Sequence, residues 1–362
     1  MDAVFKILME ENKGLKIKNY IGNGGFGEVR EVSYKKKDEN ENEKVKYYEG
    51  VGKLIKRKDV NETKYLSEFR GPGIVKVWKI FSTDYNNENY DLIFMEKSQL
   101  TDSYKLIKKL FSHKYFNLIV TSQFETIGDN LLRFFVKQLV KALEILNRNN
   151  YSHFDIKPEN ILIFREMNLK FTDFGLLRDI ENIKNKTNNE VEVPGGTRGY
   201  LSPEFYFKKS YLDIEDARKQ DYFALGATIF YLKYGERMLK YNEYKDPSVT
   251  SDLLIDLLQK RISEIKSDKL LDEDFKNFLC SLIQYKPEQR PNFEEIYKNK
   301  WINKNTEELT DIFEINQYDE VKLILELKKS DYLIKKKKYL YNKRNNKEIN
   351  NIRQRHKFIF GE

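Results

Sequence analysis

The sequence predicts an α+β fold, with paired strands near its start and a long helix and a buried strand further on. Three observations predict it. Residues 15–21 alternate in polarity and, beyond a cluster of glycines, residues 29–34 resume in β-forming side chains, as two paired strands do. Leu132, Phe135, Val136, Leu139, Leu143 and Leu146 recur at helical spacing and end in an Asn-rich stop. Between residues 151 and 175 a short apolar run, Ile161-Leu162-Ile163-Phe164, is bounded by polar turns and reads as a buried strand.

At 362 residues the chain is long enough for one large domain or two modest ones, and its 40% hydrophobic content excludes disorder throughout. No apolar run approaches the ~18 to 20 residues that cross a bilayer. Residues 1–13 carry a short apolar patch, but their acidic residues and the lack of a small-residue cleavage site argue against a secretory signal. The single cysteine, Cys280, rules out an internal disulfide framework; it falls in the apolar pattern Phe275, Phe278, Leu279, Leu282, Ile283 and is expected to fill core. An intracellular location, cytoplasmic or nuclear, follows as the expectation. The charge of +8 arises from 65 basic and 57 acidic residues spread along the chain, which describes a solvated surface better than a nucleic-acid or membrane footprint.

Taken in order, the first strand runs into Gly22-Asn23-Gly24-Gly25-Phe26-Gly27. In a dinucleotide-binding unit the third glycine opens a helix, whereas here Val29 to Tyr34 continue as a strand, so a glycine-rich hairpin is expected. Its bare backbone amides suit phosphate oxygens. Residues 35–46 form a charged connection, and residues 48–55 a strand holding Lys53. Residues 62–70 read as a short helix, capped by Asn61, with Tyr65, Leu66 and Phe69 on its apolar face. Residues 90–96 form a further strand; residues 100–118 receive no function.

The stretch His153-Phe154-Asp155-Ile156-Lys157-Pro158-Glu159-Asn160, followed at a distance by Asp173-Phe174-Gly175, concentrates the chemistry. Two carboxylates, a lysine and a carboxamide around a buried strand suit phosphoryl transfer, in which a protein positions a hydroxyl and holds cations against phosphate oxygens. Asp155 can accept the hydroxyl proton, Lys157 can neutralise the moving group, and Asn160 and Asp173 are hard oxygen ligands of the kind Mg2+ takes. This stretch resembles the catalytic and metal-binding loops of the eukaryotic-type serine/threonine protein kinase family, with His-Phe-Asp in place of the family's His-Arg-Asp and the lysine in the serine/threonine position.

The resemblance covers residues 20–302 roughly and implies a bilobal kinase fold. The divisions expected are an N-terminal extension (1–14), a β-rich N-lobe with one regulatory helix (15–96), a mainly helical C-lobe (97–302) and a basic C-terminal extension (303–362). It implies ATP and Mg2+ as cofactors and a protein substrate as partner. By the same match Lys53 contacts the α and β phosphates and Glu62 pairs with it, the rival reading being that Glu62 is a solvated carboxylate and that Glu68 or no residue makes the pair. The nucleotide is expected against Ile21, Gly22, Asn23, Gly24, Gly25, Gly27, Val29, Lys53, Met95 (the gatekeeper), Glu96 and Leu162, and the metal on Asn160 and Asp173. Gly52 is expected to replace the alanine beneath adenine, removing a methyl there. Gly195-Gly196-Thr197-Arg198-Gly199-Tyr200 continues to Pro203-Glu204 and resembles the end of the family's activation segment. Thr197 is expected to hydrogen-bond Asp155 and Lys157. Asp221 is expected to anchor the catalytic loop and Arg290 to pair with Glu204, while Glu159 could attract a basic residue before the acceptor site.

Phe154 departs from the pattern. The arginine it replaces receives an activation-segment phosphate in members that have it, which phenylalanine cannot do. Catalysis independent of that phosphorylation is therefore expected, Thr187 being the only hydroxyl residue between Asp173 and Thr197. An active kinase is weighed against a non-catalytic scaffold that keeps the fold and works through its surfaces. Beyond residue 302, Tyr318, Val321, Leu323, Ile324, Leu325 and Leu327 could form a helix that docks on a partner. Lys335 to Lys338, Lys343, Arg344, Arg353 and Arg355 make a basic end, read either as a solvated tail or as a contact for nucleic acid or anionic membrane.

Overall fold

The structure, a computed structural model, describes residues 1–24, 27–37, 45–57, 71–99, 101–110, 129–180, 190–192, 194–207, 211–239, 250–269 and 271–304. Gly25, Glu62, Glu68, Thr187 and the C-terminal extension from residue 305 lie outside the described residues.

Helix α1 (Asp2–Glu11) precedes five strands, β1 (Leu15–Gly24), β2 (Gly27–Lys37), β3 (Val45–Lys56), β4 (Val77–Tyr85) and β5 (Glu88–Glu96). These form one antiparallel sheet in the order β1-β2-β3-β5-β4. The glycine cluster is the tip of the β1–β2 hairpin, with Gly22 opposite Val29 and Gly24 opposite Gly27, and the chain leaves it as a strand. Gly27 has a specific reason to lack a side chain: a Cβ there would lie 2.0 Å from the Leu54 carbonyl oxygen. The β4–β5 turn places Asn86 and Asn87 at φ of 50° and 60°, the left-handed pair that a two-residue hairpin of matching twist requires and asparagine tolerates.

Alternation along β3 decides which side chains face the site. Lys53 and Val51 share one face, while Leu54 joins Val32, Phe81, Leu92 and Phe94 in an apolar cluster on the other. Gly52 belongs to that second face, since a Cβ on it would meet Leu92 Cδ1 and Val32 Cγ2, both at 2.7 Å. The expectation that Gly52 takes a methyl from the surface beneath adenine is therefore corrected. Val51 occupies the face of Lys53, packs on the central core and adds bulk there. The opposite face is covered by α1, whose Val4, Phe5 and Leu8 lie one helical turn apart and are buried. Arg30 pins the helix: its guanidinium lies 4.4 Å from the Phe5 ring centre, and its Nη2 is 2.5 Å from Asp2 Oδ1.

The larger part is helical. Among the described residues its helices are α2 (Ser103–Leu110), α3 (Asp129–Arg148), α4 (Pro203–Phe207), α5 (Ile214–Tyr234), α6 (Ser251–Ser267), α7 (Glu273–Leu282), α8 (Phe293–Tyr297) and α9 (Lys300–Asn303). Short strands β6 (Thr101–Asp102), β8 (Ile161–Ile163) and β9 (Leu169–Phe171) form a three-stranded sheet, and β7 (Tyr151–Ser152) pairs with β10 (Arg178–Asp179). The apolar stripe read from the sequence of α3 is buried at every position named, from Leu132 to Leu146. Caps begin several helices: Thr250 accepts from Leu253 N for α6, Asp272 from Phe275 N for α7, and Asn292 with Glu295 forms a reciprocal box at α8. Trp301 closes this part, packed on Phe275 and Phe278 at 4.8 and 5.7 Å. Cys280 is buried, which pushes its thiol up to about 11 and makes it inert core.

One apolar core joins the two parts, with Ile55, Val75, Ile93 and Met95 meeting Ile161, Ile163 and Phe171. Backbone bonds reinforce it: Val75 N donates to Phe171 O at 3.0 Å and Phe171 N to Gly73 O at 2.8 Å. This seam fixes β9, and the residues that follow it, against the sheet that carries Lys53. Among the described residues no helix is long and apolar enough to cross a membrane.

Candidate active site

Between β7 and β8 the chain makes a tight turn that starts with His153 and Phe154. Asp221, in the middle of α5, holds it: Oδ2 accepts from His153 N at 2.7 Å and Oδ1 from Phe154 N at 2.9 Å. Burial pushes the Asp221 carboxyl up to about 7 against the pull of those two amides, and the charge of Asp155 pushes the same way as burial. Phe154 adopts φ 61°, a costly conformation for an aromatic residue, within a turn that Asp221 and its own ring secure. The ring is fully buried with Ile180, Phe205 and Ala217, its centre 5.4 Å from that of Phe205.

His153 is buried as well. Its Nδ1 accepts from Asp155 N at 3.3 Å and its Nε2 is 3.2 Å from Thr172 O, which fits the neutral tautomer protonated at Nε2. Burial lowers its pKa, while Asp155 and Asp173 work in the opposite direction. The imidazole thus bridges the turn that carries Asp155 to the residue before Asp173, and its ring lies 5.0 Å from that of Phe174.

Around Asp155 the expected partners converge. Thr197 Oγ1 donates to Asp155 Oδ1 at 2.6 Å. Lys157 Nζ is 2.7 Å from Asp155 Oδ2 and 2.6 Å from Thr197 Oγ1. Asn160 Nδ2 donates both to Asp155 O and to Asp155 Oδ2, each at 2.9 Å, which leaves its amide oxygen as a donor atom for a cation. Thr172 N donates to Asn160 O at 3.0 Å, so Asn160 and Asp173 are brought together by the backbone. Lys53, 5% exposed, reaches across from the sheet and places Nζ 2.7 Å from Asp173 Oδ1. Burial alone would raise the Asp173 carboxyl, but the charge and hydrogen bond of Lys53 outweigh it, helped by the charge of Lys157, and the carboxyl titrates below its usual range. Asp173 sits at φ 60°. Asn160 and Asp173 supply hard oxygens of the type that hold Mg2+ together with phosphate oxygens, so the residues present fit that ion.

The remaining candidates lie on β1, β2, β5 and β8. Ile21, Gly22 and Asn23 lie on β1, Gly24 at the hairpin tip, and Gly27 and Val29 on β2. Met95 is buried and pairs with Val51 in the ladder; Leu162, half-buried, lies in β8 between Asp102 and Lys170. Glu96 is more engaged than its sequence suggests. Its amide donates to Lys76 O at 3.0 Å, and its Oε1 accepts from Lys76 N at 2.7 Å and from Lys170 Nζ at 2.6 Å. Farther out, Arg290 and Glu204 form a buried two-point pair, Nη1 to Oε1 at 2.5 Å and Nη2 to Oε2 at 2.7 Å. Sequence reasoning missed Lys170 and Arg237, the latter 3.2 Å from Glu159; neither belongs to a motif, and both meet partners more than 70 residues away.

The family model for the protein kinase domain matches residues 15–302. The chain belongs to the protein kinase family. This kinase is 28% identical over 294 residues to Aurora kinase of Saccharomyces cerevisiae, a match covering 79% of this chain and 68% of that one. It is 24% identical over 296 residues to CBL-interacting serine/threonine-protein kinase 15 of Arabidopsis thaliana, covering 81% and 62%. With serine/threonine-protein kinase ULK3 of Homo sapiens the identity is 24% over 294 residues, covering 80% and 55%. The kinase thus spans between about half and two thirds of the length of these relatives. Helix α1 precedes the matched stretch.

Proposed function

We propose that this kinase is catalytically active and transfers the γ-phosphoryl group of ATP to a serine or threonine hydroxyl of an intracellular protein, with Asp155 as the base. The observation that carries the reading is the occupancy of the Asp155 carboxylate. A carboxylate offers about four acceptor positions. Among the described residues Thr197 takes one on Oδ1, and Lys157 and Asn160 take both on Oδ2, so the second position on Oδ1 remains for a substrate hydroxyl. Lys157, bonded to Asp155 and Thr197, would neutralise the negative charge that builds up on the transferred group, and the Lys53–Asp173 pair would meet phosphate and metal. Mg2+ held by Asn160 and Asp173 would neutralise charge on the phosphate oxygens. Lys53 would orient the phosphates, the β1–β2 hairpin would exclude water from them, and the Glu96 carbonyl, its amide being committed to Lys76, would meet the purine edge. The sheet face of Val51 and the side chain of Leu162 would enclose the base between them. Glu62 falls outside the described residues, and its pairing with Lys53 is part of the proposal.

A scaffold acting through its surfaces is the alternative; Phe154 is the feature that favours it, and the intact set Lys53, Asp155, Lys157, Asn160 and Asp173 weighs against it. The deciding experiment is transfer from labelled Mg·ATP to a generic protein substrate by the wild type and by Asp155→Asn. The expected result is transfer by the wild type that falls at least ~10³-fold in the variant, given the usual worth of a positioned base together with the altered hydrogen bonds around it. Equal background in both would support the scaffold.

A further inference from the structure

Glu159, the acid that the sequence offered as an attractor for a basic substrate residue, is already partnered. It lies between Lys157 and Asn160, and its Oε1 accepts from Arg237 Nη2 at 3.2 Å, both side chains being 31% exposed. Its Oε2 is buried and has no hydrogen-bond partner among the described residues. Arg237 lies three residues beyond α5, and its guanidinium is also 5.8 Å from the centre of the Tyr200 ring. Tyr200 N donates to Thr197 O at 3.0 Å, and Thr197 in turn donates to Asp155. One guanidinium therefore touches both walls of the region leading to the base: the turn that carries Asp155 and the segment that carries Thr197.

We propose that Arg237 masks Glu159, so that this kinase does not select a basic residue before the acceptor hydroxyl, and that Arg237 is the specificity-determining residue of that subsite. The inference deepens the proposed protein-kinase function and rests on it. An incoming arginine or lysine meets a cation of its own sign beside the carboxylate, and it must displace an existing ion pair to use the accessible oxygen. The other oxygen is closed to it. Removing the guanidinium reverses both effects, because a carboxylate stripped of its donor gains most from a new one.

The test uses the full chain and a serine peptide whose flanking residues are alanine, with versions carrying arginine at each of the four positions before the serine. Two readouts are taken: kcat/KM for each peptide, and binding by fluorescence anisotropy of the same peptides with the serine replaced by alanine. For the wild type the arginine and alanine peptides should be used and bound alike, within about threefold. In Arg237→Gln one arginine peptide should gain about tenfold over its alanine counterpart, about 1.4 kcal/mol, and adding Glu159→Gln should abolish that gain. Arg237→Met, which keeps an apolar stem on Tyr200, should behave as Arg237→Gln does. A wild type that already favours an arginine peptide tenfold, or variants that leave every ratio unchanged, would overturn the proposal. Should no protein form phosphorylate any peptide, the kinase reading fails, while the binding series still decides whether Arg237 masks Glu159.

Discussion

One carboxylate, Asp221, satisfies the amides of both His153 and Phe154 and is buried while doing so. Its folded pKa, about 7, lies above the ordinary 3.8. Between these values the folded chain binds the proton that the unfolded chain has released, so the contribution of this group to stability is fully present below pH 4 and declines as pH rises to 7. Asp221→Asn lacks this titration. The stability of the wild type relative to the variant should therefore be greatest near pH 4 and shrink toward pH 7, by about 1.4 kcal/mol for each pH unit crossed. Denaturant unfolding at a series of pH values checks it, and a constant difference would refute the burial argument. At this scale the sequence was most readable where chemistry sits in short motifs: Asp155, Lys157 and Asn160 lie within six residues, and their contacts follow from a single turn. Gly52 shows the opposite case. Its neighbour Lys53 faces the site, and a period of two sends residue 52 to the other side, which a residue-by-residue match overlooks. The Glu159–Arg237 pair left no local trace, because the two residues are 78 apart in sequence and are brought together by the fold.

Among the elements, α1 extends what the family match describes. Its apolar positions, Val4, Phe5 and Leu8, form a short stripe that the sequence shows but that ten helical residues alone could not hold in water. The sheet supplies the missing energy, since Phe81, Leu92 and Phe94 present an apolar face that α1 covers. Leu8→Ala should cost ~2–5 kcal/mol by leaving a cavity under the helix, whereas Leu8→Met, close in volume, should cost less than ~1.5 kcal/mol. Urea unfolding of the two variants beside the wild type measures both. If Leu8→Ala unfolds with the wild type, the helix does not pack as described. Helix α3 was readable for the converse reason: twenty residues give several turns of an apolar stripe, and length makes the period unambiguous.

Across the whole molecule, the described parts of the segment between Asp173 and Glu204 are held by apolar burial, hydrogen bonds and an ion pair. Phe154 buries its ring with Ile180 from beyond β10, Phe205 from α4 and Ala217 from α5, so four separate stretches of chain meet in one apolar cluster. Thr197 is held by Asp155 and Lys157, and Glu204 by a buried Arg290 that also donates to the carbonyls of Gln284 and Tyr285. A phosphate clamp works through charge and disappears with the modification; apolar burial does not depend on a charge. If the proposed activity holds, the arrangement should therefore persist without phosphorylation, and fully dephosphorylated kinase should retain most of its transfer. Phe154→Arg, which restores the family's residue, should not install a phosphate switch, because the guanidinium would enter a cluster of apolar side chains with no partner there and the folded state would lose several kcal/mol. Phosphatase treatment followed by the transfer assay, beside a thermal melt of Phe154→Arg, tests the two halves of this argument separately. Loss of most activity on dephosphorylation would sink the first half, and an Arg variant as stable as the wild type the second.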